Sequence, residues 1–176
     1  MISKKEPFKN TSAEHKKKVP LSVNLAVITL SDSRGLEEDL SGDLIQELAE
    51  KNNHKVLLRK ILPDNASLLE TTIRNVIKDQ NIQVIITNGG TGLSKKDLTI
   101  ETIKPMFDKE ITGFSSLFWQ LGYQQAESST MLSRATGGII DRTVIFCLPG
   151  SPRACQLALE KLILPEIGHI VRHTNE

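Results

Sequence analysis

Gly89-Gly-Thr-Gly92, followed by Lys95, Lys96 and Asp97, places a glycine loop, two cations and a carboxylate within nine residues. The loop follows Ile82-Gln-Val-Ile-Ile-Thr87, an apolar run that reads as a buried strand. A strand ending in such a loop presents free backbone N–H groups, an arrangement suited to phosphate. The lysines add positive charge, and Asp97 could hold a cation against that phosphate. Taken alone, Asp97 would also serve as a helix N-cap or a solvated charge, and the glycines as a tight turn. The loop is not a Walker A motif, because no Gly-Lys-Ser/Thr closes it. Nor is it a dinucleotide fingerprint, because Lys95 stands where the last glycine would fall.

A second loop, Leu148-Pro-Gly-Ser-Pro152, ends another apolar run. Ser151 before Pro152 reads as an N-cap followed by proline at the first helical position. Local chemistry leaves open whether this helix start accepts an anion or is only well capped. Asp64, after Leu62-Pro63, reads from its spacing as a cap or turn former. Arg134 is either a phosphate clamp or a surface arginine. His169 and His173 stand four apart, a spacing that can put two metal ligands on one helix face. No cysteine or third histidine accompanies them, and a solvated terminal face is the plainer reading.

The elements that must position these residues alternate. Val23 to Leu30 is a nearly continuous apolar run, hence a strand buried on both faces. Helical spacing of Leu44, Ile45, Leu48 and Ala49 follows, with Ser41 as the expected N-cap. Val56 to Leu62 interleaves charges, as a strand nearer an edge would. A helix then buries Leu69, Ile73, Val76 and Ile77, opened by a Ser67–Glu70 capping box or by Asn65. After the glycine loop come a short helix interrupted at Pro105 and a longer one from Gly113 to Gln125, with Phe114, Leu117, Phe118 and Leu121 inward. A strand in the later half of 131–140 and Thr143 to Leu148, joined by a turn at Asp141-Arg142, could be antiparallel. Ala154, Leu157, Ala158 and Leu162 face inward on the next helix, which Pro165 is expected to break, opening a final helix that carries Ile167, Ile170 and Val171.

Strand, helix, strand, helix, strand implies right-handed crossovers, a mostly parallel sheet and an α/β fold with helices on both faces. Ligands of such sheets bind beyond the carboxyl ends of the strands, where Asp64 and residues 89–97 both fall. The lysine-rich residues 1–20 offer little to bury and predict a flexible basic extension, leaving one domain over 21–176. A net charge of +1 gives no reason to expect nucleic acid. No apolar run reaches the length of a membrane span, and the N-terminus has no apolar stretch of a secretory signal. Cys147 and Cys155 fit two reduced thiols in a cytoplasmic protein.

Thr87-Asn-Gly-Gly-Thr-Gly-Leu-Ser-Lys-Lys-Asp-Leu-Thr-Ile-Glu101, Glu110-Ile-Thr-Gly-Phe114, Leu132-Ser-Arg-Ala135 and Leu148-Pro-Gly-Ser-Pro152 occur in one order. That set resembles the MoaB/Mog family of molybdenum cofactor biosynthesis proteins, on the MoaB side, over roughly residues 22 to 173. Asn88 stands where threonine or glycine is commoner in that family. The resemblance implies a three-layer α/β/α sandwich that binds molybdopterin, assembles as a trimer or hexamer, and in active members adenylylates the pterin with Mg-ATP, releasing pyrophosphate. A separate protein or domain would then insert molybdate. Residue by residue, Asp64 and Asp97 match the catalytic, Mg²⁺-positioning aspartates, which reverses the plain reading of Asp64. Gly89, Gly90, Thr91 and Gly92 match the molybdopterin loop, and Ser133, Gly150 and Ser151 match other ligand-contacting loops. Ser31, Asp32 and Gly42 match a less specific region near the nucleotide, with Lys95 and Lys96 available to its phosphates. The alternative within the same pathway is a molybdopterin carrier without catalysis.

Overall fold

The computed structural model describes residues 22–32 and 35–176, so the expected basic extension lies outside the described residues. The strands are β1 (Asn24–Leu30), β2 (Lys55–Leu62), β3 (Val84–Asn88), β4 (Lys109–Glu110), β5 (Thr136–Ile140) and β6 (Thr143–Leu148). They form one sheet in the order β2-β1-β3-β6-β5-β4. The first four in that order run parallel; β5 is antiparallel to β6, and β4 antiparallel to β5. β2, with its interleaved charges, is an edge strand as its composition requires.

The helices are α1 (Leu40–Lys51), α2 (Ala66–Ile77), α3 (Thr99–Ile103), α4 (Thr112–Ala126), α5 (Pro152–Ala158) and α6 (Leu164–Thr174). Alternation along β1 sorts them into layers. Leu25 and Val27 face Ile45 and Ala49 of α1, Phe114 and Phe118 of α4, and Leu159, Ile163 and Ile167 of the last helices. Ala26, Ile28 and Leu30 face Leu69 and Ile73 of α2 and Ile103 of α3. Each fully buried aliphatic side chain contributes about 1.5–3 kcal/mol, so the two faces together hold the sandwich. The chain leaves β1 over one face and returns to β3 over the other. The carboxyl ends of β1 and β3 therefore flank a topological switch point, where an open sheet leaves a crevice.

Several local expectations are corrected. The N-cap of α1 is Asp39, whose carboxylate accepts from the Gly42 N–H, while Ser41 lies within the helix. Asp39 is buried and must find donors, so the helix starts around it. Asn65, accepting from the Leu68 N–H at 2.9 Å, opens α2 in place of the Ser67–Glu70 box. Leu117 is 49% exposed. The buried stripe of α4 is Phe114, Phe118 and Gly122, centred on Phe118, and Leu117 lies about 100° round the helix from it. Pro165 stands in the first turn of the final helix, as expected, but the helical path is not broken before it. A π-helical turn, Leu159–Ile163, joins α5 to α6, and the Leu164 N–H reaches the Leu159 carbonyl. The wider turn accommodates a residue with no N–H of its own.

Candidate functional site

The glycine loop leaves β3 at Asn88 and turns at once. Gly89 has φ +94° and Gly90 φ +62°, left-handed conformations that side chains resist. A Cβ on Gly89 would strike the Leu30 carbonyl, so the loop passes directly over the end of β1. The Gly89 N–H donates to the Leu148 carbonyl at 3.1 Å, and Gly150 packs against the Gly89 Cα. Both loops singled out by sequence thus meet at one place, held further by the Ser41 hydroxyl donating to the Gly150 carbonyl at 2.8 Å. Thr99, at the start of α3, closes the turn through the Gly89 and Gly90 carbonyls.

Three carboxylates converge on this loop. The Asp64 N–H donates to Asp32 Oδ1 at 3.0 Å, which ties the end of β2 to the end of β1. Asp64 Oδ1 itself is buried, has no hydrogen-bond partner, and points at the Gly90 Cα. Burial raises the Asp64 pKa, and the negative charges of Asp32 and Asp97 raise it further. Asp97 is different. Burial works to raise its pKa, yet N–H and O–H donation from Ser94, the Gly92 N–H and the Arg134 charge together hold it below the usual range. Asp32 is also held low, first by the Asp64 N–H and then by Lys96, whose ammonium lies 3.3 Å from Asp32 Oδ2.

Arg134 is neither of the alternatives read from sequence. Its guanidinium donates to the Thr91 carbonyl at 2.9 Å and the Gly92 carbonyl at 2.7 Å, and pairs with the Glu101 carboxylate. With both carbonyls held by Arg134 and the Gly92 N–H engaged by Asp97, the peptides of residues 91 and 92 are fixed in orientation. Sequence reasoning also missed the layer under the loop. Asn88 donates to the Thr29 hydroxyl at 2.9 Å, and that hydroxyl donates to Asp39 Oδ2 at 2.7 Å. Arg59 pairs with the same oxygen at 3.0 Å. The one available signal was Asp39 standing three residues before Gly42, the spacing of a capping carboxylate.

The remaining expected residues divide. Ser133 and Ser151 line one cleft with Phe118, Thr130 and Arg153. Ser151 caps α5 without a side-chain hydrogen bond to the helix. Gly42 is turned inward, its N–H committed to Asp39 and its Cα against the Asp39 and Arg59 side chains. Ser31 lies at the end of β1, its N–H donating to the Leu62 carbonyl. Lys95 and Lys96 are exposed, and Lys96 reaches across to Asp32. Cys147 and Cys155 are buried, and burial pushes both thiols up to about 12, so neither is a nucleophile at neutral pH.

A dication fits this arrangement. Among the described residues no group of three or more His, Cys, Asp or Glu is set to hold a metal alone. Asp64 has an unpartnered buried oxygen, and the charge of Lys96 is outweighed there by burial and by Asp32 and Asp97. Mg²⁺ commonly takes one or two carboxylates and completes its shell from phosphate and water oxygens.

Residues 26–169 match the family model described as "Probable molybdopterin binding domain". The chain belongs to the family of molybdenum cofactor biosynthesis protein B. It is 45% identical over 158 residues to the Bacillus cereus protein of that name, covering 89% of this chain and 94% of that one. A crystal structure of a molybdenum cofactor biosynthesis protein B superposes with a TM-score of 0.87 at 42% identity, covering 90% of this chain and 99% of that one. The tungsten cofactor synthesizing protein MoaB of Pyrococcus furiosus does so with a TM-score of 0.81 at 40% identity, covering 89% and 99%. The family therefore agrees with the resemblance read from the four motifs, and its fold with the expected α/β sandwich. Among the described residues no helix is long and apolar enough to cross a membrane.

Proposed function

We propose that the chain binds molybdopterin at the Gly89–Gly92 loop and adenylylates it with Mg-ATP. The observation that carries this reading is the Asp64 carboxylate, aimed at the glycine loop with an unpartnered oxygen beside two further aspartates. A carrier that only bound a phosphorylated pterin would gain nothing from concentrating negative charge where a phosphate must sit. A site that brings two phosphates together around a dication needs such charge.

In this reading the Thr91 N–H and the turn at Gly89 and Gly90, with Ser133 and Ser151, hold the pterin and its terminal phosphate. That phosphate's oxygen attacks the α-phosphorus of ATP, a new P–O–P bond forms, and the bond to the β-phosphate breaks, releasing pyrophosphate. Asp64 and Asp97 would hold Mg²⁺, which supplies neutralisation of the charge shared by the two phosphates. Lys95 and Lys96 lie on the side where the nucleotide phosphates would enter, with Ser31 and Asp32 near the nucleoside. The protein's part is alignment and charge placement. The product would pass to a molybdate-inserting protein, and the chain would work as a homotrimer or homohexamer.

Pyrophosphate release from ATP, measured with and without molybdopterin, tests this directly. Release that depends on the pterin is the expected result; pterin binding without release would make the chain a carrier. Asp97→Ala should lower the rate by ~10²-fold or more while pterin affinity changes little. Turnover intact in that variant would overturn the assignment of Asp97.

A further inference from the structure

At the other extreme of the chain, α6 carries a cluster that this reading leaves unused. His169 and His173 stand one turn apart on α6, with Nε2 atoms 2.8 Å from each other and rings 4.5 Å between centroids. Each ring has a carboxylate on its other nitrogen. His169 Nδ1 lies 3.4 Å from Glu166 Oε2, and His173 Nδ1 lies 3.2 Å from Glu176 Oε2. Glu176 is itself fixed, its Oε1 accepting from Arg172 Nε at 2.9 Å.

The tautomers follow from these partners. A carboxylate accepts, so a proton on each Nδ1 satisfies Glu166 and Glu176 and turns the Nε2 lone pairs toward each other. Two lone pairs facing at 2.8 Å repel unless something positive lies between or beside them. Only a shared proton or a metal cation meets that demand. A carboxylate behind the distal nitrogen of a histidine is the usual support of a metal-bound imidazole, since it fixes the ring and raises its basicity.

The separation also selects among cations. Two nitrogens bound at about 2.0–2.1 Å lie ~2.9 Å apart at a right-angled bite and ~3.4 Å apart at a tetrahedral one. The observed 2.8 Å matches the right-angled case. Square-planar and octahedral ions such as Cu²⁺ and Ni²⁺ take that angle, whereas Zn²⁺ favours the tetrahedron. Both rings are partly exposed, at 34% and 55%, which leaves the remaining positions to water.

We propose that His169 and His173 form a two-imidazole chelate for a first-row transition-metal dication of the Cu²⁺ or Ni²⁺ type, supported by Glu166 and Glu176. It is distinct in donors and in place from the carboxylate site of the glycine loop. Because Nε2 lies on the solvent side of a terminal helix, the site needs no opening to load.

The test is calorimetric titration of the untagged full chain with Cu²⁺ and with Ni²⁺, beside His173→Gln and the double variant His169→Gln/His173→Gln. The double variant accounts for the N-terminal amine and for His15 and His54. One additional ion per chain in the wild type is expected, with Cu²⁺ bound more tightly than Ni²⁺. His173→Gln should weaken that site ~10-fold or more, and Glu176→Gln should weaken it ~10-fold with both rings retained. Electron paramagnetic resonance of the Cu²⁺ form should show coupling to two imidazole nitrogens, lost in the double variant. Equal stoichiometry and affinity in wild type and double variant would overturn the proposal. So would a pair that takes up no Cu²⁺ or Ni²⁺ and instead titrates as a shared-proton unit by nuclear magnetic resonance.

Discussion

Asp64 and Asp97 are chemically the same residue and are placed in opposite electrostatic states. Asp97 accepts from the Ser94 N–H and is also stabilised by the Ser94 hydroxyl, the Gly92 N–H and the Arg134 charge, so its ionised form is secured. Asp64 is raised by burial and by its acidic neighbours. The sign of the stability effect follows. Between the ordinary carboxylate pKa and the raised folded value, the folded state keeps a proton that the unfolded state has released. Stability therefore falls as pH rises through that window. Asp64→Asn should abolish pyrophosphate release yet raise the melting temperature at neutral pH. A gain of about 0.5–2 kcal/mol, or ~2–4 °C for each kcal/mol, is the expected size. The difference from wild type should vanish below about pH 4, where the unfolded carboxyl is protonated as well. Saturating Mg²⁺ should raise the wild-type melting temperature and leave the variant unmoved. A melting temperature lower in Asp64→Asn at every pH would show that the carboxylate is structural.

At the scale of elements, the site is a set of backbone turns held by side chains from elsewhere in the sequence. Arg134 arrives from the approach to β5 and grips two carbonyls of the loop after β3. Arg134→Ala would leave the Thr91 and Gly92 carbonyls without those donors and let their peptides rotate. We expect a loss of about 1–3 kcal/mol in stability and a KM for the pterin raised ~10-fold, with Arg134→Lys only partly restoring either. An unchanged KM beside a lowered melting temperature would confine Arg134 to stability. This pairing explains what could and could not be read from sequence. The glycine loop, the Pro-Gly-Ser-Pro helix start and the strand–helix alternation are local patterns, and local patterns carry local structure. Arg134, by contrast, meets its partners 42 and 43 residues away. The chain joining Asn88, Thr29, Asp39 and Arg59 likewise exists only because β1, β2 and β3 lie side by side. Periodicity has no register for such contacts. It misjudged Ser41 for a related reason, since Asp39 becomes the cap through burial that the sheet imposes.

For the whole molecule, the open question is what covers the face beside the site. Leu117, Trp119, Tyr123, Met131 and Leu132 are 45–80% exposed, and Trp119, Tyr123 and Met131 line one groove with Thr130. Leu40, Leu57, Leu68 and Leu93 are exposed too, but among the exposed large apolar side chains of the described residues only Trp119, Tyr123 and Met131 share a groove, which is the pattern of an interaction surface. Thr130 also belongs to the cleft of Ser133 and Ser151, so whatever covers the groove borders that cleft. We expect the wild-type chain to sediment as a trimer or hexamer, with this face buried between copies. Met131→Glu should shift the population toward monomer by placing an unpaired charge at the contact. The chain's single tryptophan lies in the groove, so its emission reports on this face alone. The emission should move to longer wavelength in Met131→Glu as Trp119 meets water. Pterin affinity should fall in the same variant if neighbouring copies also shape the cleft, and stay constant if they only abut it. A wild-type chain that sediments as a monomer, with emission identical to the variant's, would show that this face is solvent-exposed in the working protein.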